Sequence, residues 1–183
     1  MEEGGSDFSL LSTRALLGRL FACQEARAET YGAWEAAFRA YLRAGPRGEA
    51  GYVEATRSAT RAFGIASADV REVETVLRDE RGLVRLAGLV RDLQGREKQK
   101  LQATVASHVL RQGVLGIKAR ADAGLPVDGC GREGILKERD DAGVPVEEAQ
   151  ERVAEATRVM AEVVDGINEV LDELRCEMED LDE

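Results

Sequence analysis

The sequence predicts an all-α fold: long antiparallel helices in a three- to four-helix bundle with coiled-coil-like packing. From Val146 to Leu181 an apolar residue recurs every three then four positions, through Val146, Ala149, Val153, Ala156, Met160, Val163, Ile167, Val170, Leu174 and Leu181, broken only at Glu177. That spacing keeps one face of a slightly under-wound helix against a partner helix. Composition agrees: aromatic residues are 4% of the chain, while Ala, Leu, Val, Glu and Arg, which favour helices, are plentiful. At 183 residues the chain has room for one domain with a real core.

The first eight residues, Met1 to Phe8, are acidic and Gly-rich, and are expected to be disordered. A three-helix antiparallel region is expected over residues 9–112, opening where Ser9 or Ser12 can cap a helix. Leu17, Phe21, Gln24, Ala28, Tyr31, Phe38 and Leu42 hold heptad spacing, and Leu20, Cys23, Trp34 and Tyr41 widen the buried face. Gly45, Pro46, Gly48 and Gly51 break the run after Arg43, because proline cannot continue the backbone ladder.

The second stripe is Tyr52, Thr56, Ala59, Phe63, Ala66, Val70, Val73 and Leu77, and a charged turn from Arg78 to Gly82 follows it. The third is Leu83, Leu86, Val90, Leu93, Leu101, Val105 and Val109, with a dense polar run from Gln94 to Lys100 that implies a broad charged face or a thinly packed zone. Residues 113–144 hold seven glycines and Pro126 without sustained periodicity and are expected to form a flexible loop, although Val114, Leu115 and Ile117 can extend the third helix by a turn or two. Pro145, Glu147 and Glu148 suit a helix start, so residues 145–183 are expected to be a long C-terminal helix with an acidic tail. That helix can close the bundle or cross to a second copy, making a homo-oligomer.

Charge is unevenly spread. Residues 1–112 carry a net +2 and residues 113–183 a net −12, giving −10 overall. An acidic C-terminal segment repels phosphate backbones, so nucleic acid contact, if any, falls to the N-terminal part. No stretch reaches the roughly 20 apolar residues that span a bilayer, and no membrane association is expected. Three separated cysteines, Cys23, Cys130 and Cys176, and the lack of a basic start followed by an apolar run point to a reducing intracellular compartment, nuclear or cytoplasmic.

The search for chemistry comes back empty, and no enzymatic activity, cofactor or metal is expected. Gly129, Gly131 and Gly134 spell G-x-G-x-x-G, but Pro126, Val127 and Asp128 before them make no strand, and the dinucleotide site needs one. His108 is the single histidine and no C-x-x-C pair exists, so zinc has no ligand set. Nothing sets His108 beside Cys130, and a helix-borne histidine reads as a surface or interface residue. Paired carboxylates such as Glu147 with Glu148, and Asp140 with Asp141, sit in solvated runs. The basic cluster Arg85, Arg91, Arg96, Lys98, Lys100 and Arg111 on the third helix is interleaved with Asp92 and Glu97 and has no aromatic residue to stack on bases. It reads first as a solvated or protein-binding face.

The third helix carries a resemblance. Leu86, Val90, Arg91, Leu93, Gln94, Glu97, Lys100, Leu101 and Thr104 resemble the core signature of the "required for excision" family, B type. Leu20, Gln24, Arg27, Tyr31, Phe38, Tyr41 and Leu42, then Tyr52, Thr60 and Phe63, extend it upstream, and Ile167, Glu169, Val170, Leu171, Leu174 and Arg175 look like the family's closing helix. The resemblance implies a small eukaryotic helical protein associated with excision repair of DNA damage, with no established active site. It singles out Arg91, Gln94, Glu97, Lys100 and Thr104 as candidate partner-binding residues. The expected function is a non-enzymatic helical adaptor that supports DNA excision repair by contacting repair factors. Two alternatives stay open: a structural subunit of a large eukaryotic assembly, ciliary or organellar, and a weak direct DNA binder through the third helix.

Overall fold

The computed structural model describes residues 8–122 and 146–181. Its elements are a 3-10 turn at Phe8–Leu10, helix α1 at Thr13–Ala44, a 3-10 turn at Gly45–Gly48, helix α2 at Glu49–Thr75, a π-helical turn at Val76–Glu80, and helices α3 at Val84–Asp122 and α4 at Val146–Asp180. The fold is all-α, with no strand among the described residues. The chain divides into two compact units, Met1–Lys98 with Val164–Glu183, and Gln99–Val163. Both α3 and α4 contribute to each.

In the first unit, Ser12 caps α1 through its hydroxyl, which accepts from the Ala15 amide at 3.2 Å. Facing residues of α1 and α2 then pair in a regular progression. Arg19 meets Asp69, the Tyr31 ring lies 4.5 Å from Phe63, Phe38 lies 5.2 Å from Tyr52, and Tyr41 stacks on Tyr52 at 5.5 Å. As numbers rise along α1 they fall along α2. The Trp34 indole N–H donates to Thr56 Oγ1 at 2.9 Å, so the one tryptophan is buried with its polar edge satisfied.

The turn between α1 and α2 depends on a close approach. A Cβ on Gly48 would stand 2.8 Å from the Tyr41 Cα, whereas one on Gly51, a turn further on, would meet nothing within 4 Å. At the far end of α2 the helix widens into the π turn, and Gly82, at φ 67°, takes the left-handed backbone that releases the chain into α3. The Arg81 guanidinium there donates to the carbonyls of Ser9 and Leu11 at 2.8 and 2.9 Å, tying the N-terminal turn down beside it. Phe8, last of the eight residues expected to be disordered, is accordingly buried at 5% exposure, while residues 1–7 lie outside the described residues.

Leu16, Leu17, Leu20, Phe38, Val70, Val73, Leu77, Val90, Leu93 and Leu174 are fully enclosed and form the core of this unit. The C-terminal part of α4 belongs to it: Ile167, Val170, Leu171 and Leu174 are buried, the Arg175 guanidinium lies 5.3 Å from the centre of the Phe21 ring, and Glu173 and Glu177 pair with Arg85 of α3.

In the second unit, α3 runs on to Asp122, taking up Val114, Leu115 and Ile117 and the first ten residues of the segment expected to be a loop. The rest of that segment, with Cys130 and the Gly129, Gly131, Gly134 motif, lies outside the described residues. Here α3 meets α4 through Thr104, whose hydroxyl is 3.9 Å from the Met160 sulfur. Only His108 and Ala149 are buried among the described residues of this unit, and Leu101, Val153, Ala156, Met160 and Val163 along the same stripes are half-buried.

Two stability predictions follow from these burials. Gly48→Ala should lower stability by about 1–3 kcal/mol through overpacking, while Gly51→Ala should be neutral or raise it by up to about 1 kcal/mol; thermal unfolding followed at 222 nm separates them. Leu174→Ala should cost about 2–5 kcal/mol, against less than about 0.5 kcal/mol for Val159→Ala on the exposed side of the same helix. Equal denaturation midpoints for the two would mean that the end of α4 does not pack as described.

Candidate functional site

The five candidate residues fall on one helix but in different settings. Arg91 and Gln94 converge on a single carboxylate. Glu74 of α2, 9% exposed, accepts at Oε1 from Arg91 Nε and a terminal guanidinium nitrogen at 2.9 and 2.7 Å and from Arg78 at 3.2 Å, and at Oε2 from the Gln94 amide at 2.8 Å. Four donors on one carboxylate satisfy its lone pairs and explain how an acid tolerates burial. Arg78 also chelates Asp79, whose hydrogen bond holds the Asp79 carboxyl below its ordinary range.

Glu97 takes part in a second, deeper cluster. Its Oε2 lies 3.8 Å from a terminal nitrogen of Arg27 on α1, both side chains being almost wholly enclosed, and the other terminal nitrogen of Arg27 donates to Ser67 Oγ of α2 at 2.9 Å. Arg27 Nε, its Glu97-facing nitrogen and Gln24 Nε2 are buried without an acceptor. Burial pushes the Tyr31 hydroxyl far above its ordinary range, the Glu97 charge adds to this, and Arg27 opposes it. Burial likewise raises the Cys23 thiol, reinforced by Asp69 and opposed by Arg19 and Arg27. A thiol held protonated in this way is no nucleophile at neutral pH.

Lys100 and Thr104 belong to the second unit. Both are half-buried, and the Thr104 hydroxyl donates to the Lys100 carbonyl at 2.8 Å. The structure thus gathers Arg91 with Gln94 and sets Glu97 against a different partner, while Lys100 and Thr104 belong to the second unit. His108, read as a surface or interface residue, is 3% exposed, because it follows Leu101 and Thr104 on the inward row of α3. Among the described residues no group of three or more His, Cys, Asp or Glu is placed to hold a metal ion, and no helix is long and apolar enough to cross a membrane.

Two anchors escaped the sequence reading of the residues: Glu74 altogether, and Arg27 as an ionic partner. The signal was present. Glu74 stands four residues after Val70 and three before Leu77, Arg27 stands midway between Cys23 and Tyr31, and Glu97 stands midway between Leu93 and Leu101. A charge on an apolar stripe demands a counter-charge across the interface.

The remaining basic residues of α3 are largely matched within the chain. Arg85 pairs with Glu173 and Glu177 and Arg96 with Asp92, while Lys98 stays exposed.

Truncating one member of the buried pair, as in Glu97→Ala, should cost about 3–5 kcal/mol, because it strands a buried guanidinium. Arg27→Met combined with Glu97→Leu should cost less than either single truncation. Urea denaturation of the three variants measures this, and additive losses would show that the two charges do not depend on each other.

Neither the curated proteins nor the solved structures gave a match. A family model described as DNA repair REX1-B matches residues 15–111, which take in α1, α2 and the part of α3 that bears all five candidate residues. The chain belongs to the DNA repair REX1-B family.

Proposed function

We propose that this chain is a non-enzymatic helical adaptor that supports DNA excision repair through protein contacts, working in the nucleus or cytoplasm. The family match over residues 15–111 carries the reading, since the family's description names DNA repair. The finer architecture goes with it: the helices pair antiparallel in a three- to four-helix bundle with coiled-coil-like seams, as the falling order of α2 partners along α1 supports. Such an assembly offers faces, and the polar residues of the family signature are held in ionic and hydrogen-bonded contacts that suit support better than turnover. Direct DNA contact through α3 is disfavoured, because Arg85, Arg91 and Arg96 already face carboxylates of their own chain and a phosphate would have to displace them.

The proposal is tested in cells lacking the protein, by following the removal of ultraviolet photoproducts and of oxidised bases. Removal should be slowed for at least one lesion class. Re-expressing the intact chain should restore it, and the Lys100→Ala, Thr104→Ala double variant, which spares the Glu74 and Arg27 clusters, should restore it only in part while keeping full helicity. Parental removal rates in the deleted cells would overturn the repair reading. Incision or base release by the purified chain on lesion-bearing duplex would overturn the adaptor reading.

A further inference from the structure

Five polar side chains from three helices meet inside the larger unit. Gln24, Arg27 and Tyr31 follow one another on α1 at steps of three and four and so share a face, while Ser67 comes from α2 and Glu97 from α3. Arg27 is central, since its charge and that of Glu97 both act on the Tyr31 hydroxyl. One terminal nitrogen of Arg27 donates to Ser67 Oγ at 2.9 Å, and the other stands 3.8 Å from Glu97 Oε2. That separation is about 1 Å longer than a charge-assisted hydrogen bond. The Glu97-facing nitrogen therefore donates to nothing in the chain, and neither do Arg27 Nε and Gln24 Nε2, although all three are enclosed. Buried donors hold their place in a fold when an acceptor is supplied to them, by protein or by a bound molecule.

The chemistry of the cluster specifies the molecule it takes. It must accept from the donors of Arg27 and Gln24, and it must also donate, because the Glu97 carboxylate across the gap only accepts. A second anion is ruled out on charge: Glu97 already balances the guanidinium, and two anions on one buried cation repel each other strongly. We infer that this cluster is a binding site for internal water, in which one molecule bridges Arg27 to Glu97. The bridging water accepts from the terminal nitrogen and donates to Glu97 Oε2, a geometry that a 3.8 Å separation permits at about 2.8 Å from each. Arg27 Nε points along a different edge of the guanidinium, so it and Gln24 Nε2 donate to further water of the same cluster. The charges that hold α3 against α1 then act through a shared solvent molecule.

The test follows water itself in the full-length chain. With nitrogen-15 labelling, the Arg27 Nε–H and Gln24 amide protons are probed by water-selective NOE and ROE spectroscopy. Bound water should give cross-peaks of opposite sign in the two experiments, whereas exchange of these protons with bulk solvent gives the same sign in both. Hydroxyl protons can relay such peaks, so Ser67→Ala and Tyr31→Phe serve as controls and should keep them. Oxygen-17 relaxation dispersion, which no hydroxyl imitates, should lose the amplitude of about one internal water or more in the Arg27→Met, Glu97→Leu double variant. Circular dichroism checks that this variant keeps its helicity, and if it does not fold, the spectra of the parent chain decide alone. Absent peaks, peaks of equal sign, peaks lost in the hydroxyl controls, or an unchanged oxygen-17 amplitude in the folded double variant overturn the inference. So does a saturable shift of the Arg27 Nε–H resonance with chloride, which would make the occupant an anion.

Discussion

Three charges on buried stripes constrain everything else in the larger unit. Apolar packing is non-directional, so a helix whose inward face is Leu, Val and Ala can slide by a heptad and still bury the same area. Arg27, Glu74 and Glu97 remove that freedom. Each is at least nine-tenths enclosed, and each is stable only with its counter-group opposite: Glu97 for Arg27, and Arg91 with Gln94 for Glu74. A slip of α3 by seven residues keeps apolar against apolar but strands all three charges, at several kcal/mol per ion. The register of α3 against α1 and α2 is therefore set by polar residues, while the hydrophobic stripes supply the bulk of the stabilisation.

What was legible in the sequence tracks this division of labour. The stripes announced the helices and their approximate limits, because periodicity reports which face is wet and which is dry. Glu74 stayed hidden because a stripe is read by its apolar members, and an acid among them looks like an interruption until its partner on another helix is known. The π turn at Val76–Glu80 has no local signature, since Val76 and Leu77 suit an α-helix equally well, and it is the tertiary tie of Arg81 to Ser9 and Leu11 that accompanies the widened turn. The end of α3 was placed too early for a related reason. Gly113 and Gly116 weigh against a helix in isolation, but Val114, Leu115 and Ile117 keep it going to Asp122. Within the polar run Gln94–Lys100, Gln94 and Glu97 are the register pins, and the division between the units falls immediately after Lys98.

The two units differ in how far their described residues are buried. In the larger, core leucines and valines from all four helices are buried, and the buried polar groups have found partners with few exceptions. In the smaller, the same heptad pattern continues along α3 and α4, yet among its described residues Val153, Met160 and Val163 are half-buried and Val105 and Val109 are exposed.

The electrostatics of α3 weigh against direct contact with nucleic acid. Cations on α3 that might have met a phosphate backbone are largely committed: Arg85 to Glu173 and Glu177, Arg91 to Glu74, Arg96 to Asp92. Lys98 stays exposed on the same helix. On the reading proposed above, a chain of the DNA repair REX1-B family built in this way acts through proteins, its buried charges being spent on holding the helices of the larger unit in register.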